Sequence, residues 1–193
     1  MVMDYEAGKF DPDTRWYAVS TRSRQERVAS ATLDALGIPL FLPLESQVRQ
    51  WSDRKQVVTV PLFPGYLFVR TDPWSKAKLD VLRAPGVVGF IGNHTGPLPI
   101  PDCQIEYIRT AFTRGVRCSS HAFLKEGDRV RVVRGALTGI EGTLLRTGSK
   151  AQLVISIEMI QRSVAMTVSE QDVEPILSDS ARGLDVDRSV AVA

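Results

Sequence analysis

The chain has 193 residues, 44% of them hydrophobic, with 24 Lys+Arg against 22 Asp+Glu and two cysteines. That length and apolar content suffice for one or two domains with buried cores. No apolar run approaches the roughly 20 residues of a membrane span, and two thiols are too few for a disulfide framework or a zinc site, so a reducing compartment is expected. The formal charge of +2 hides an asymmetry: residues 14–118 carry fourteen Lys and Arg against eight Asp and Glu, net +6, whereas residues 119–177 balance at seven against seven. A basic first half points to a polyanion beside it, at an excess that suits passing phosphate contact better than a tight grip. The acidic, polar start lacks the pattern of a secretory signal, and the expected location is cytoplasmic.

In chain order, residues 1–13 read as a disordered arm. Arg15 to Arg22 alternates like a strand through Trp16, Tyr17 and Val19. Ser23 with Glu26 three residues on is a capping-box signature, which predicts a helix start there. Val28, Ala29, Leu33 and Leu36 give that helix its apolar positions and Gly37 its stop. Arg22, Arg24 and Arg27 surround the helix start, either facing phosphates or forming a solvated rim. Leu40 to Gln50 and Gln56 to Leu62 read as a long hairpin with Arg49, Arg54 and Lys55 near its tip, turning at Ser52-Asp53-Arg54-Lys55.

The densest apolar run follows, Pro61-Leu62-Phe63-Pro64-Gly65-Tyr66-Leu67-Phe68-Val69. Its prolines cannot donate to a strand ladder and Pro64-Gly65 is turn chemistry, so a bend or an edge is expected. Phe63, Tyr66 and Phe68 could fill a core, or some of the rings could lie open to a partner. Asp72-Pro73 predicts the start of a second helix, with Trp74, Ala77, Val81 and Leu82 on its buried side. Val87 to Ile91 reads as a strand, the following stretch to Pro101 as a loop, and Asp102 to Thr113 as a third helix carrying Ile105, Ile108 and Phe112 on one face. This order predicts an α+β N-terminal domain over 14–115, with helices on a mostly antiparallel sheet.

Residues 116–123 read as a linker. From 124 to 177 the texture changes to short Val- and Ile-rich strands punctuated by Gly135, Gly139 and Gly142, the pattern of a small all-β SH3-like barrel, β throughout. Residues 178–193 read as a disordered tail.

Two motif sets then resemble one family. Trp16-Tyr17-Ala18-Val19, Phe63-Pro64-Gly65-Tyr66 and Gly86-Val87-Val88-Gly89-Phe90-Ile91-Gly92 resemble the N-terminal domain of NusG transcription elongation factors. Glu126-Gly127-Asp128-Arg129-Val130-Arg131-Val132 with Gly135-Ala136-Leu137-Thr138-Gly139-Ile140-Glu141-Gly142 is similar to the KOW motif of their C-terminal barrel. The resemblance implies a monomeric, non-enzymatic factor without metal or cofactor that binds the β′ clamp helices of RNA polymerase and suppresses pausing. By the same resemblance Phe63, Pro64, Tyr66 and Phe68 would line the polymerase contact. Arg22, Arg24 and Arg27 would lie near upstream or non-template DNA, and Leu137 and Ile140 in the KOW loop would meet a partner such as Rho or the ribosome.

The wording Pro61-Leu62-Phe63-Pro64 and the Ile160-Gln161-Arg162-Ser163-Val164 segment lie nearer specialised RfaH- and UpxY-type members, which implies an antiterminator of long polysaccharide-type operons. The alternatives are a housekeeping NusG and a KOW-type RNA- or ribosome-binding protein. The neutral balance of 119–177 counts against the last of these. An enzyme is not expected, since His94, His121, Cys103 and Cys118 show no nucleophile–base spacing.

Overall fold

The computed structural model describes residues 13–50, 55–122, 127–147 and 150–176. The expected arm, hairpin turn and tail fall wholly or almost wholly outside them, as does Glu126. Strand β1 (Arg15–Thr21) is central to the first sheet, with β5 (Tyr66–Thr71) on one side and β6 (Val87–Phe90) on the other, and β2 (Leu40–Phe41) beyond β5; every pairing is antiparallel. The expected strand from Leu40 to Gln50 is interrupted at Leu42-Pro43. Its second part, β3 (Leu44–Gln50), pairs with β4 (Lys55–Pro61) as a separate two-stranded ribbon.

Strand alternation sorts β1 and β5 into two apolar layers. Tyr17, Val19, Leu67 and Val69 pack with Ala29 and Leu33 of α1 (Glu26–Ala35) and Val81 of α2 (Lys76–Arg83). Trp16, Ala18 and Phe68 point the other way, into a cluster with Ile105, Ile108 and Ala111 of α3 (Asp102–Thr113). The sheet therefore lies between α1 and α2 on one face and α3 on the other.

Two helix starts differ from expectation. Backbone between Arg22 and Gln25 turns on itself, with Gln25 N–H donating to Arg22 O at 3.0 Å and Arg24 at φ 62° in the left-handed region. The helix begins only at Glu26, and Ser23 caps nothing. At the second helix, the Asp72 carboxylate accepts from Trp74 N–H at 2.9 Å, and Asp72 O accepts from both the backbone and the hydroxyl of Ser75. That tight turn delays the helix to Lys76 and puts Trp74 outside its buried face: the indole is 74% exposed, with the Lys78 ammonium 5.1 Å from its centroid. Gly37, at φ 70°, does end α1 as expected: Ile38 N–H donates back to Leu33 O. The stretch after β6 is not only loop, since β7 (Gly92–Asn93) and β8 (Gly96–Pro97) form a small hairpin and β9 (Pro99–Ile100) pairs with β1.

A second sheet holds the C-terminal half, in the order β10 (Cys118–Ala122), β14 (Arg162–Val168), β13 (Lys150–Ile157), β12 (Glu141–Thr147), β11 (Asp128–Val132), β15 (Val173–Pro175). The segment expected as a linker thus contains strand β10, which is polar but pairs with β14 from Cys118↔Met166 to Ala122↔Arg162. The architecture is an α+β domain followed by a small all-β barrel.

Within the barrel, β12 crosses β13 so closely at Gly142 that a Cβ there would lie 2.7 Å from Val154 O and 3.0 Å from a Leu153 methyl. Gly142→Ala should destabilise the protein by roughly 1–3 kcal/mol through overpacking. Urea denaturation checks this, and an unchanged midpoint would contradict the crowding.

Candidate functional site

The Pro64-Gly65 bend is a four-residue turn: Tyr66 N–H donates to Phe63 O at 3.0 Å, and Gly65 has φ 83°. Proline at its second position and a left-handed glycine at its third are what a type II turn requires. β5 leaves it as an inner strand, paired on both sides. The turn is also gripped from outside itself. Gly65 N–H donates to the Glu26 carboxylate at 2.8 Å, and Gly65 O accepts from Thr21 N–H at 2.8 Å.

The four expected contact residues separate by depth. Phe63 is 1% exposed and Phe68 fully buried, their rings edge-to-face at 5.5 Å between centroids; Phe68 stacks on Phe41, which meets Phe112 of α3 edge-on. Tyr66 is half-buried against the same cluster, and Pro64 is exposed. The surface that this turn exposes is therefore Pro64 and part of Tyr66, with Phe63 and Phe68 beneath them. The physical reason is the second apolar layer, which draws two of the rings inward and continues past α3 into the barrel.

That continuation joins the two halves. One buried cluster runs from Trp16, Phe63 and Phe68 through Ile105 and Ile108 to Val130, Leu153 and Met166. Helix α3 lies against β13, and Arg114 at its end donates to Ala136 O at 2.7 Å. Burial raises the pKa of the Tyr107 phenol, and the nearby Glu141 carboxylate of the barrel adds to the effect. Leu137 and Ile140, expected to face a partner, are 4% and 2% exposed. The loop carrying them closes on itself: Ile140 N–H donates to Leu137 O, and the Thr138 hydroxyl to Gly135 O.

Arg22, Arg24 and Arg27 are all exposed, at the end of the first sheet that also holds the turn. Arg27 is anchored, its guanidinium donating to Thr59 O in β4 at 2.9 Å. The residue that joins this rim to the turn is Glu26, 5% exposed, read from sequence only as half of a capping box. Nothing local in the sequence points to its true partner, 39 positions away. Cys103 is exposed and Cys118 buried, and among the described residues no group of His, Cys, Asp and Glu is placed to hold a metal ion. No helix among the described residues is long and apolar enough to cross a membrane.

Similarities to known proteins bear on what such an arrangement does. A family model described as "Transcription termination factor nusG" matches residues 14–109. The "Transcription termination/antitermination protein NusG" of Thermus thermophilus is 31% identical over 147 residues, which cover 67% of this chain and 80% of that protein. The protein of the same name from Borreliella burgdorferi is 24% identical over 181 residues, 83% of this chain and 98% of that one. A solved structure described as "Domain interaction in Thermotoga maritima NusG" aligns with a TM-score of 0.49 at 24% identity, covering 85% of this chain and 98% of that chain.

Burial, with a further push from the Glu45 carboxylate, raises the Cys118 thiol to about 12. Its protonated state stabilises the fold fully below the unfolded thiol's pKa of about 8.5, and that contribution is lost as pH rises from there toward 12. At pH 8 a thiol reagent should modify exposed Cys103 at least about tenfold faster than Cys118. Equal rates, read by mass spectrometry of the folded protein, would contradict the packing of β10 into the common core.

Proposed function

Because the chain belongs to the NusG family, we propose that it is a non-enzymatic transcription elongation factor that binds RNA polymerase and suppresses pausing and termination. The observation that carries this reading is the turn at 63–66. A reverse turn hydrogen-bonded from both sides offers a proline and the exposed part of a tyrosine to the outside, and a helical hairpin such as the β′ clamp helices presents apolar side chains to receive such an anchor. Phe63 and Phe68 act from beneath, as the packing that fixes Tyr66. Arg22, Arg24 and Arg27 sit where phosphates of upstream or non-template DNA can be met in passing, and their exposure suits contact with a moving duplex. The working units in this reading are the α+β domain over 14–115 and the barrel whose sheet begins with β10 at Cys118.

Within the family, the specialist reading is an antiterminator of long, polysaccharide-type operons. It is favoured by the Pro61-Leu62-Phe63-Pro64 and Ile160 to Val164 wording, and by a barrel loop with Gly135-Ala136-Leu137 in place of the Gly-Pro-Phe of general members. A housekeeping role that couples polymerase to Rho or the ribosome needs an open apolar loop, and Leu137 and Ile140 are buried.

Tyr66→Ala should weaken binding to purified polymerase by about 1–3 kcal/mol, the range of an interfacial aromatic anchor, and should abolish the shortening of pauses in single-round transcription. Wild-type affinity in a folded variant would remove the turn from the interface. For the specialist reading, a transcriptome after deletion should show a few operons losing their distal genes, whereas a broad shift across the genome would favour the housekeeping role.

A further inference from the structure

We propose that Glu26 is the positioning residue of the polymerase contact: its buried carboxylate sets the turn that presents Tyr66. The inference rests on the reading of the turn as that contact, and adds to it a residue from a different layer of the fold. Taking a carboxylate out of water is unfavourable unless hydrogen bonds replace its hydration. Glu26 is 5% exposed, yet no cation pairs with it among the described residues. Its protein hydrogen-bond partner is the amide of Gly65, at 2.8 Å. It also lies in the first turn of α1, where the helix dipole favours an anion. A small or apolar side chain would fill the same place without that desolvation, so the group is explained by what it holds.

What it holds is the one flexible position of the turn. Gly65 can rotate more freely than any other residue type, and Pro64 before it is exposed. The hydrogen bonds to Glu26 on its N–H and from Thr21 on its carbonyl leave the glycine one orientation, and Tyr66 follows directly. The neighbouring residue completes a clamp. Arg27 is bonded to Thr59 O, in the strand that leads into the turn. Successive residues of α1 thereby grip both the approach to the turn and its tip, and they belong to the arginine-bearing rim assigned to nucleic acid. Through Glu26, the surface beside DNA and the surface against polymerase are parts of one rigid unit.

The test compares full-length wild type with Glu26→Gln, Glu26→Ala, Glu26→Leu and Tyr66→Ala. For each, affinity for purified polymerase, urea stability and hydrogen exchange of the Gly65 amide by NMR are measured. Glutamine keeps an acceptor oxygen and should bind within about threefold of wild type, because its hydrogen bond to Gly65 survives without the charge. Glu26→Ala should exchange the Gly65 amide faster and lose about tenfold in affinity, the loss expected when a charge-assisted bond that orders a loop is removed. Glu26→Leu fills the space without an acceptor and should behave as Glu26→Ala; it carries the test if the alanine variant does not fold.

Full affinity in a folded Glu26→Ala or Glu26→Leu, with Tyr66→Ala weakened, overturns the positioning role and leaves the contact intact. A glutamine variant as weak as alanine also overturns it, since the hydrogen bond would then not be the cause. Tyr66→Ala binding as tightly as wild type overturns the contact itself, and the positioning role with it.

Discussion

Both peptide planes that meet at Gly65 are held, the one before it by the Glu26 carboxylate on the Gly65 N–H and the one after it by the Thr21 amide on the Gly65 carbonyl. Those two bonds fasten together three parts of the first domain: the start of α1, the end of β1 and the head of β5. Thr21 also pairs with Val87 of β6, and Arg22 N–H donates to Gly86 O, so the same end of the sheet ties in the loop after α2. Proline at position 64 and glycine at 65 let the chain reverse there without strain. The carboxylate then removes the freedom that glycine introduces. Local sequence supplies the turn, and a long-range contact supplies its rigidity.

Beneath the turn, the two faces of the sheet are used differently. One face is closed by α1 and α2 in a self-contained layer. The other is closed by α3, and its apolar cluster extends into the barrel. Packing on that second face explains why Phe63 and Phe68 are buried while Pro64 and Tyr66 stay at the surface. It also gives Arg114, Tyr107 and Cys118 meaning as residues of a joint between two halves, which their sequence neighbourhoods do not suggest.

Much of the fold was legible in advance, for identifiable reasons. Helix α3 is legible with its observed bounds because Ile105, Ile108 and Phe112 recur at helical spacing after the loop that ends at Pro101. The turn at Pro64-Gly65 was read from two residues whose backbone preferences leave few alternatives. The failures have two causes, a tight local turn that competes with a helix start and contacts made elsewhere in the chain. Ser23 and Asp72 looked like helix caps, but the chain turns before each helix begins, with Arg24 left-handed in one case and Asp72 bonded to Trp74 and Ser75 in the other. Spacing counted from Asp72 puts Trp74 on a buried face, but the helix begins only at Lys76 and leaves Trp74 exposed. Strand β10 is polar and owes its existence to β14. At the candidate site, the types and order of residues were legible, but which rings lie inside was decided by a layer of packing that spacing does not encode, and Glu26 by a partner 39 positions away.

The account turns on Pro64 and Tyr66 facing the polymerase. A photoreactive amino acid placed at position 64, exposed and carrying no backbone donor to lose, reports on that directly in an assembled elongation complex. Cross-links from position 64 into the clamp helices of the largest polymerase subunit are the predicted result. Their absence, in a complex that forms with normal affinity and cross-links from a position on the barrel instead, would contradict it.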